Sequence, residues 1–127
     1  MIYGIGTDIA DIQRIRKVYE KHGEHFVRTV LTAKEIEILN GRTGKAEFIA
    51  GRWAAKEAFA KALGTGIGEY CSFTNIEILP NEQNAPEIVA LYGNTAKTVE
   101  SKGIRRYHVS ISHEREYAVG FVVMETE

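Results

Sequence analysis

The sequence predicts an α+β fold, a single domain over residues 1–127 in which a largely antiparallel sheet accompanies one long central helix. Apolar residues make up 44% of the 127 positions and run through the whole chain, with no internal repeat, low-complexity tract or Pro/Gly/Ser linker. That is enough for one continuous core and offers no boundary for a second. The longest helical pattern, residues 45 to 63, stands between strand-like segments at the two ends of the chain. The resulting order, β-α-α-α-β-β-α-β-β, puts the later strands in adjacent pairs, as an antiparallel sheet requires.

Each element has its own signal. Residues 1 to 9 alternate with a strand period, placing Ile2, Gly4, Gly6 and Asp8 on one face and Asp8 at the strand's end. Asp11 is a capping residue for the next segment, where Ile12, Ile15 and Tyr19 recur at helical spacing. Thr32 followed by Glu35 is a capping-box pattern that starts a short second helix through Leu39, with Gly41 as its stop. The long helix carries Phe48, Ile49, Trp53, Phe59 and Leu63, has no interior proline, and ends at Gly64. SFTNIEIL and PEIVALY read as a hairpin about a polar turn at residues 81 to 84. Asn94 caps a helix through about Lys102, and Gly103 ends it. RYHVSISH and YAVGFVVM are the closing strands, joined by the turn at residues 114 to 116.

Composition narrows function. Sixteen Lys and Arg face 17 Asp and Glu, so the molecule has no global bias towards nucleic acid, and any basic site is local. The one cysteine, Cys71, has no partner for a disulfide or a zinc pair, which favours a reducing compartment. The first residues are strand-like rather than a basic segment followed by an apolar run, and no stretch reaches membrane-spanning length. A soluble, cytoplasmic protein is the expectation.

Three segments could carry chemistry. In GIGTDI, residues 4 to 9, a dinucleotide fingerprint fails because Ile9 stands where its third glycine belongs. Asp8 alone reads as a turn acid, and the glycines can serve close strand packing. In AGRWAAKEAFAKALGTGIG, residues 50 to 68, Glu57 and Lys61 share a helix face and alone would be a surface ion pair. Ala50, Ala54, Ala58 and Ala62 beside them leave room for a ligand or another chain. Gly64, Gly66 and Gly68 could present backbone amides to a phosphate, or be a plain helix stop. In HVSISH, residues 108 to 113, His113 ends a strand beside Ser110 and Ser112, a spacing too common to imply a nucleophile.

Taken in order, GIGTDI, LTAKE, the helical block and HVSISH resemble the holo-[acyl-carrier-protein] synthase family of phosphopantetheinyl transferases over almost the whole chain. The pairing of G-x-G-x-D with W-A-A-K-E-A about fifty residues later is the most specific part. The resemblance implies transfer of the 4′-phosphopantetheine group from coenzyme A to a serine of an apo-acyl carrier protein, with release of adenosine 3′,5′-bisphosphate, in support of fatty acid biosynthesis. It implies a Mg²⁺ site on Asp8 and Glu57, completed by water and the coenzyme's pyrophosphate, which suits a hard cation content with two carboxylates. Lys61 is then a cation for the developing charge, and Glu57 an acceptor for the serine proton. Arg52 and His113 become phosphate-binding candidates, and Gly64 and Gly66 hold the nucleotide. Arg14, Lys17 and Lys21, three and four apart on the first helix, form a basic stripe for an acidic carrier. A homotrimer with interfacial active sites is implied as well. Trp53 stands where the family often has Phe, Asn84-Ala85-Pro86 where Gly-Lys-Pro is frequent, and Gly120 where Ala is usual. Two other readings use the same residues: a different Mg²⁺-dependent nucleotide phosphoryl transferase or hydrolase, and a carrier-binding module without catalysis.

Overall fold

The long helix is the axis of the structure, a computed structural model that describes residues 1–127. In chain order the elements are β1 (Ile2–Asp11), α1 (Ile12–His22), α2 (Glu24–Val30), α3 (Ala33–Asn40), α4 (Lys45–Leu63), a 3-10 turn (Phe73–Asn75), β2 (Ile76–Pro80), β3 (Pro86–Leu91), α5 (Gly93–Ser101), β4 (Arg106–His113) and β5 (Tyr117–Glu125). The sheet is split in two. β1, β5 and β4 form an antiparallel three-stranded sheet with β5 in the middle, and β2 pairs with β3 in a separate hairpin. β3 runs beside β4 without joining its ladder.

Local signals set the ends of several elements as expected. The Asp11 side chain accepts from the Gln13 and Arg14 amides, and Thr32 and Glu35 complete a reciprocal capping box. Gly64 ends α4 in the left-handed conformation at φ 93°. Three differences arise. Residues 24–30 form a helix the sequence did not announce, because Gly23 serves at once as the C-cap of α1 and the N-cap of α2 and offers no side-chain cap. Asn94 lies inside α5 rather than capping it: the helix begins two residues earlier than that cap implies, at Gly93 (φ 53°) after Tyr92. Phe73–Asn75 coils into the 3-10 turn, so the strand expected over SFTNIEIL starts only at Ile76.

α4 lies across the inner face of the three-stranded sheet and is buried on nearly every side. Its alanine stripe is where the expectation of room for a ligand fails. Ala50, Ala54 and Ala58 are fully buried and Ala62 nearly so, because the chain's own strands fill the space. A Cβ on Gly6 would stand 1.9 Å from the Ala58 carbonyl oxygen, and one on Gly4 2.1 Å from that of Ala62. Gly120 meets the backbone of Ala54 and Ala55 at 2.5 Å in the same way, which explains a glycine where alanine was the family expectation. Backbone-to-backbone contact between helix and strands therefore requires both the alanines and the glycines. Ile2 leaves the inner face because the ladder shifts register between Ile2 and Gly4.

On either side of α4 the core closes in two parts. Ile12, Ile15, Val27, Val30, Leu39 and Ile49 fill one end. Phe59, Leu63, Cys71, Ile76, Ile78, Val99 and Met124 fill the other. The opposite face of the three-stranded sheet is uncovered and apolar: Ile5, Ile9, Val119 and Phe121 are exposed there. No helix is long and apolar enough to cross a membrane.

Candidate active site

The close joint between β1 and α4 brings together groups fifty residues apart in sequence. Asp8 is on the inner face of β1, two residues beyond Gly6, and Glu57 and Lys61 lie one turn apart on α4. Lys61 Nζ donates to Asp8 Oδ1 at 3.0 Å and to the Thr7 carbonyl at 3.0 Å. The Asp8 side chain is 17% exposed against 52% for Lys61, so the ion pair sits at a rim. Glu57 makes no hydrogen bond or ion pair of its own. Burial, then repulsion from Asp8, raises the Glu57 carboxyl above its ordinary value, with Lys61 pulling the other way.

Two carboxylates crowded onto one joint, one of them unpaired, fit a hard divalent cation. No third Asp, Glu, His or Cys completes the set, so a cation held by Asp8 and Glu57 would need oxygens from water or a bound phosphate. That is the coordination habit of Mg²⁺.

A second basin opens near the other half of α4. Arg52 and His113 line one cavity of about 460 Å³, together with Arg42, Phe48, Gly51 and Ile111. Arg52 is only 7% exposed; its Nε donates to the Ile78 carbonyl at 3.2 Å and its guanidinium lies 4.4 Å over the Phe48 ring. Burial lowers its pKa to about 10, with Glu35 opposing. Along the helix Arg52 is five residues, roughly 7.5 Å, from Glu57 and nine residues, roughly 13 Å, from Lys61. Within one chain the structure thus groups Asp8, Glu57 and Lys61, groups Arg52 with His113, and leaves the two groups apart.

The glycine loop closes the helix, one of the two readings its sequence allows. The amides of Gly64, Thr65 and Gly66 all turn back onto the Ala60 carbonyl, at 3.0, 3.2 and 3.2 Å, and the Gly68 amide donates to Cys71. The Ala60 carbonyl near the end of α4 takes the first three donors and the Cys71 carbonyl the fourth, so each of these amides already has a partner within the chain. Gly64 and Gly66 give the loop its positive φ angles and leave open space beside it. Arg14, Lys17 and Lys21 are exposed on α1 and enter no ion pair, whereas Arg16 on the same helix is engaged by Glu47 at 3.1 Å. Burial pushes the Cys71 thiol up to about 11, which makes it a poor nucleophile.

Sequence reasoning passed over Lys56, the residue beside Glu57. Its ammonium is fully buried and donates to Glu35 Oε1 at 2.6 Å, to the Val30 carbonyl at 2.7 Å and to the Phe73 carbonyl at 2.9 Å. Glu35 in turn accepts from the Thr32 amide at 2.7 Å and the Ile78 amide at 2.8 Å. Burial lowers the Lys56 pKa and Glu35 restores part of the loss. The only sequence hint was Glu35 itself, which a capping box explains without any partner.

The family model for the 4′-phosphopantetheinyl transferase superfamily matches residues 4–122. The holo-[acyl-carrier-protein] synthase of Methylibium petroleiphilum is 44% identical over 132 aligned positions, covering 100% of this chain and 98% of its own. Among solved structures, the holo-[acyl-carrier-protein] synthase of Neisseria meningitidis superposes with a TM-score of 0.91 at 41% identity, covering 98% of this chain and 99% of that one. The Helicobacter pylori enzyme in complex with coenzyme A gives 0.84 at 35% identity, covering 95% and 99%.

Proposed function

The chain belongs to the 4′-phosphopantetheinyl transferase superfamily, and we propose that it transfers the 4′-phosphopantetheine group of coenzyme A to a serine of an apo-acyl carrier protein. The observation that carries this reading is the joint where Asp8, Lys61 and the unpaired Glu57 meet. Asp8 and Glu57 would hold Mg²⁺, which when bound supplies charge neutralisation to the coenzyme's diphosphate.

The remaining chemistry belongs to the side chains. The serine oxygen forms a bond to the phosphorus that bears the pantetheine arm, and the bond from that phosphorus to the bridging oxygen breaks, releasing adenosine 3′,5′-bisphosphate. Glu57, whose carboxyl already binds a proton more readily than an ordinary one, accepts the serine proton directly or through a water. The Lys61 ammonium can swing from Asp8 to the charge building on the leaving phosphate, since half its side chain is exposed.

Arg52 and His113 line a basin fit for phosphate oxygens, and Glu57 of the same chain is not among the residues that line it. Association of three chains would resolve the separation by bringing one chain's basin to another's carboxylates. The bare sheet face carrying Ile5, Ile9, Val119 and Phe121 supports such an interface. Arg14, Lys17 and Lys21 form the surface for an acidic carrier protein. The chemistry and its substrates belong in the cytoplasm, and the product serves fatty acid biosynthesis. Release of adenosine 3′,5′-bisphosphate, followed by chromatography, tests the reading: it should require apo-carrier protein, whereas release without carrier would mark a hydrolase.

A further inference from the structure

α4 presents a problem of rotation. It is buried nearly all round, and the face it shows to β1 and β5 is a run of alanines against glycines, which sets that face but offers few interlocking side chains to set the rotation finely. The close alanine–glycine contacts select which face of α4 meets the strands, but apolar burial is non-directional and leaves the finer rotation within that choice to other contacts. Hydrogen bonds are directional. Only a few side chains of α4 make any to other elements, and Lys56 makes three, each to a different one: the end of α2, α3 and the 3-10 turn. All three ammonium donors are used.

We propose that the buried Lys56–Glu35 pair positions the active centre, fixing the rotation of α4 so that Glu57 faces Asp8. Lys56 and Glu57 are consecutive and so project about 100° apart around the helix. Anchoring Lys56 toward α2, α3 and the 3-10 turn commits Glu57 to the β1 side. Glu35 locks the other end of the anchor, because the Thr32 and Ile78 amides occupy it from α3's own start and from β2. A buried ion pair is a weak source of stability compared with an apolar pair of similar volume, so placement accounts for it better than stability does. Lys56 touches no substrate in this account and is a positioning residue; the inference rests on the reading of Asp8 and Glu57 given above.

The test compares the parent with the double variant Lys56→Met/Glu35→Leu, which removes both charges while filling their volume. Circular dichroism and thermal melting report the fold, electron paramagnetic resonance reports Mn²⁺ affinity in the presence of coenzyme A, and carrier modification reports turnover. We expect cooperative melting, a Mn²⁺ dissociation constant raised at least threefold, and kcat reduced at least tenfold with KM for carrier protein within twofold. A folded double variant whose Mn²⁺ affinity and kcat both stay within twofold of the parent overturns the proposal. Loss of cooperative melting also overturns it, by assigning the pair to stability instead. A parent that modified no carrier would refute the proposed activity, while the Mn²⁺ comparison would still decide the role of Lys56.

Discussion

Gly6→Ala tests the joint on which the site depends. The added Cβ would lie 1.9 Å from the Ala58 carbonyl oxygen and 2.7 Å from the Ala62 amide nitrogen, against 3.4 Å or more in ordinary contact. Both obstacles are backbone, so no side-chain rotation relieves them, and β1 must retreat from α4 by about 1.5 Å. Overpacking of this kind costs about 1–3 kcal/mol, and the clash at Gly6 belongs at the upper end. An alanine free of strain would instead stabilise the chain by about 0.4–1 kcal/mol through its unfolded state, so the sign is itself informative. A net loss of about 2 kcal/mol lowers the melting temperature of a domain this size by roughly 6–12 °C. Asp8 lies two residues on, on the same face, and moves with the strand. A displacement of about 1 Å at a reacting centre costs on the order of 100-fold in rate, so kcat should fall that far in protein that still folds. Thermal melting by circular dichroism and the carrier-modification rate measure both. An unchanged or raised melting temperature with kcat within twofold of the parent would refute the close-packing account.

Glu57→Gln should abolish transfer and leave the fold intact; near-normal turnover at ordinary Mg²⁺ concentrations would sink its assignment. The same variant has a pH signature. Because burial and Asp8 raise the Glu57 pKa in the folded chain, metal-free stability is lost as pH climbs from the ordinary value of 4.5 through the raised one. Glu57→Gln should therefore melt higher than the parent at pH 7 without metal, with the difference shrinking below pH 4.5, and a lower melting point at pH 7 would contradict this. Arg14→Glu should raise KM for carrier protein far more than KM for coenzyme A, with an effect that weakens as salt is added; equal changes in both would argue against docking on α1.

What the sequence disclosed was chiefly local. Asp11, Thr32 with Glu35, and Gly64 act on amides and carbonyls within a few residues, so their motifs can be read without knowing the fold. Failures came where a residue's meaning depends on distant partners. The alanines of α4 looked like an opening because spacing alone cannot show that Gly4, Gly6 and Gly120 fill it. Lys56 looked like any helical lysine, since nothing in W-A-A-K-E-A distinguishes a solvated ammonium from one bonded to three elements. The glycines after Leu63 allow either a phosphate cradle or a plain helix stop, and only the Ala60 carbonyl, which takes three of the amides there, shows the stop. Asp8 and Glu57 were nameable as a pair only through the ordered combination of motifs; each alone was an ordinary acid.

The central claim is most directly tested by the intact mass of an apo-acyl carrier protein before and after incubation with this protein, coenzyme A and Mg²⁺. A phosphopantetheinyl transferase adds about 340 Da to the carrier, on one serine, and the gain disappears when that serine is replaced by alanine. A carrier of unchanged mass, with the coenzyme either intact or hydrolysed, would contradict the account.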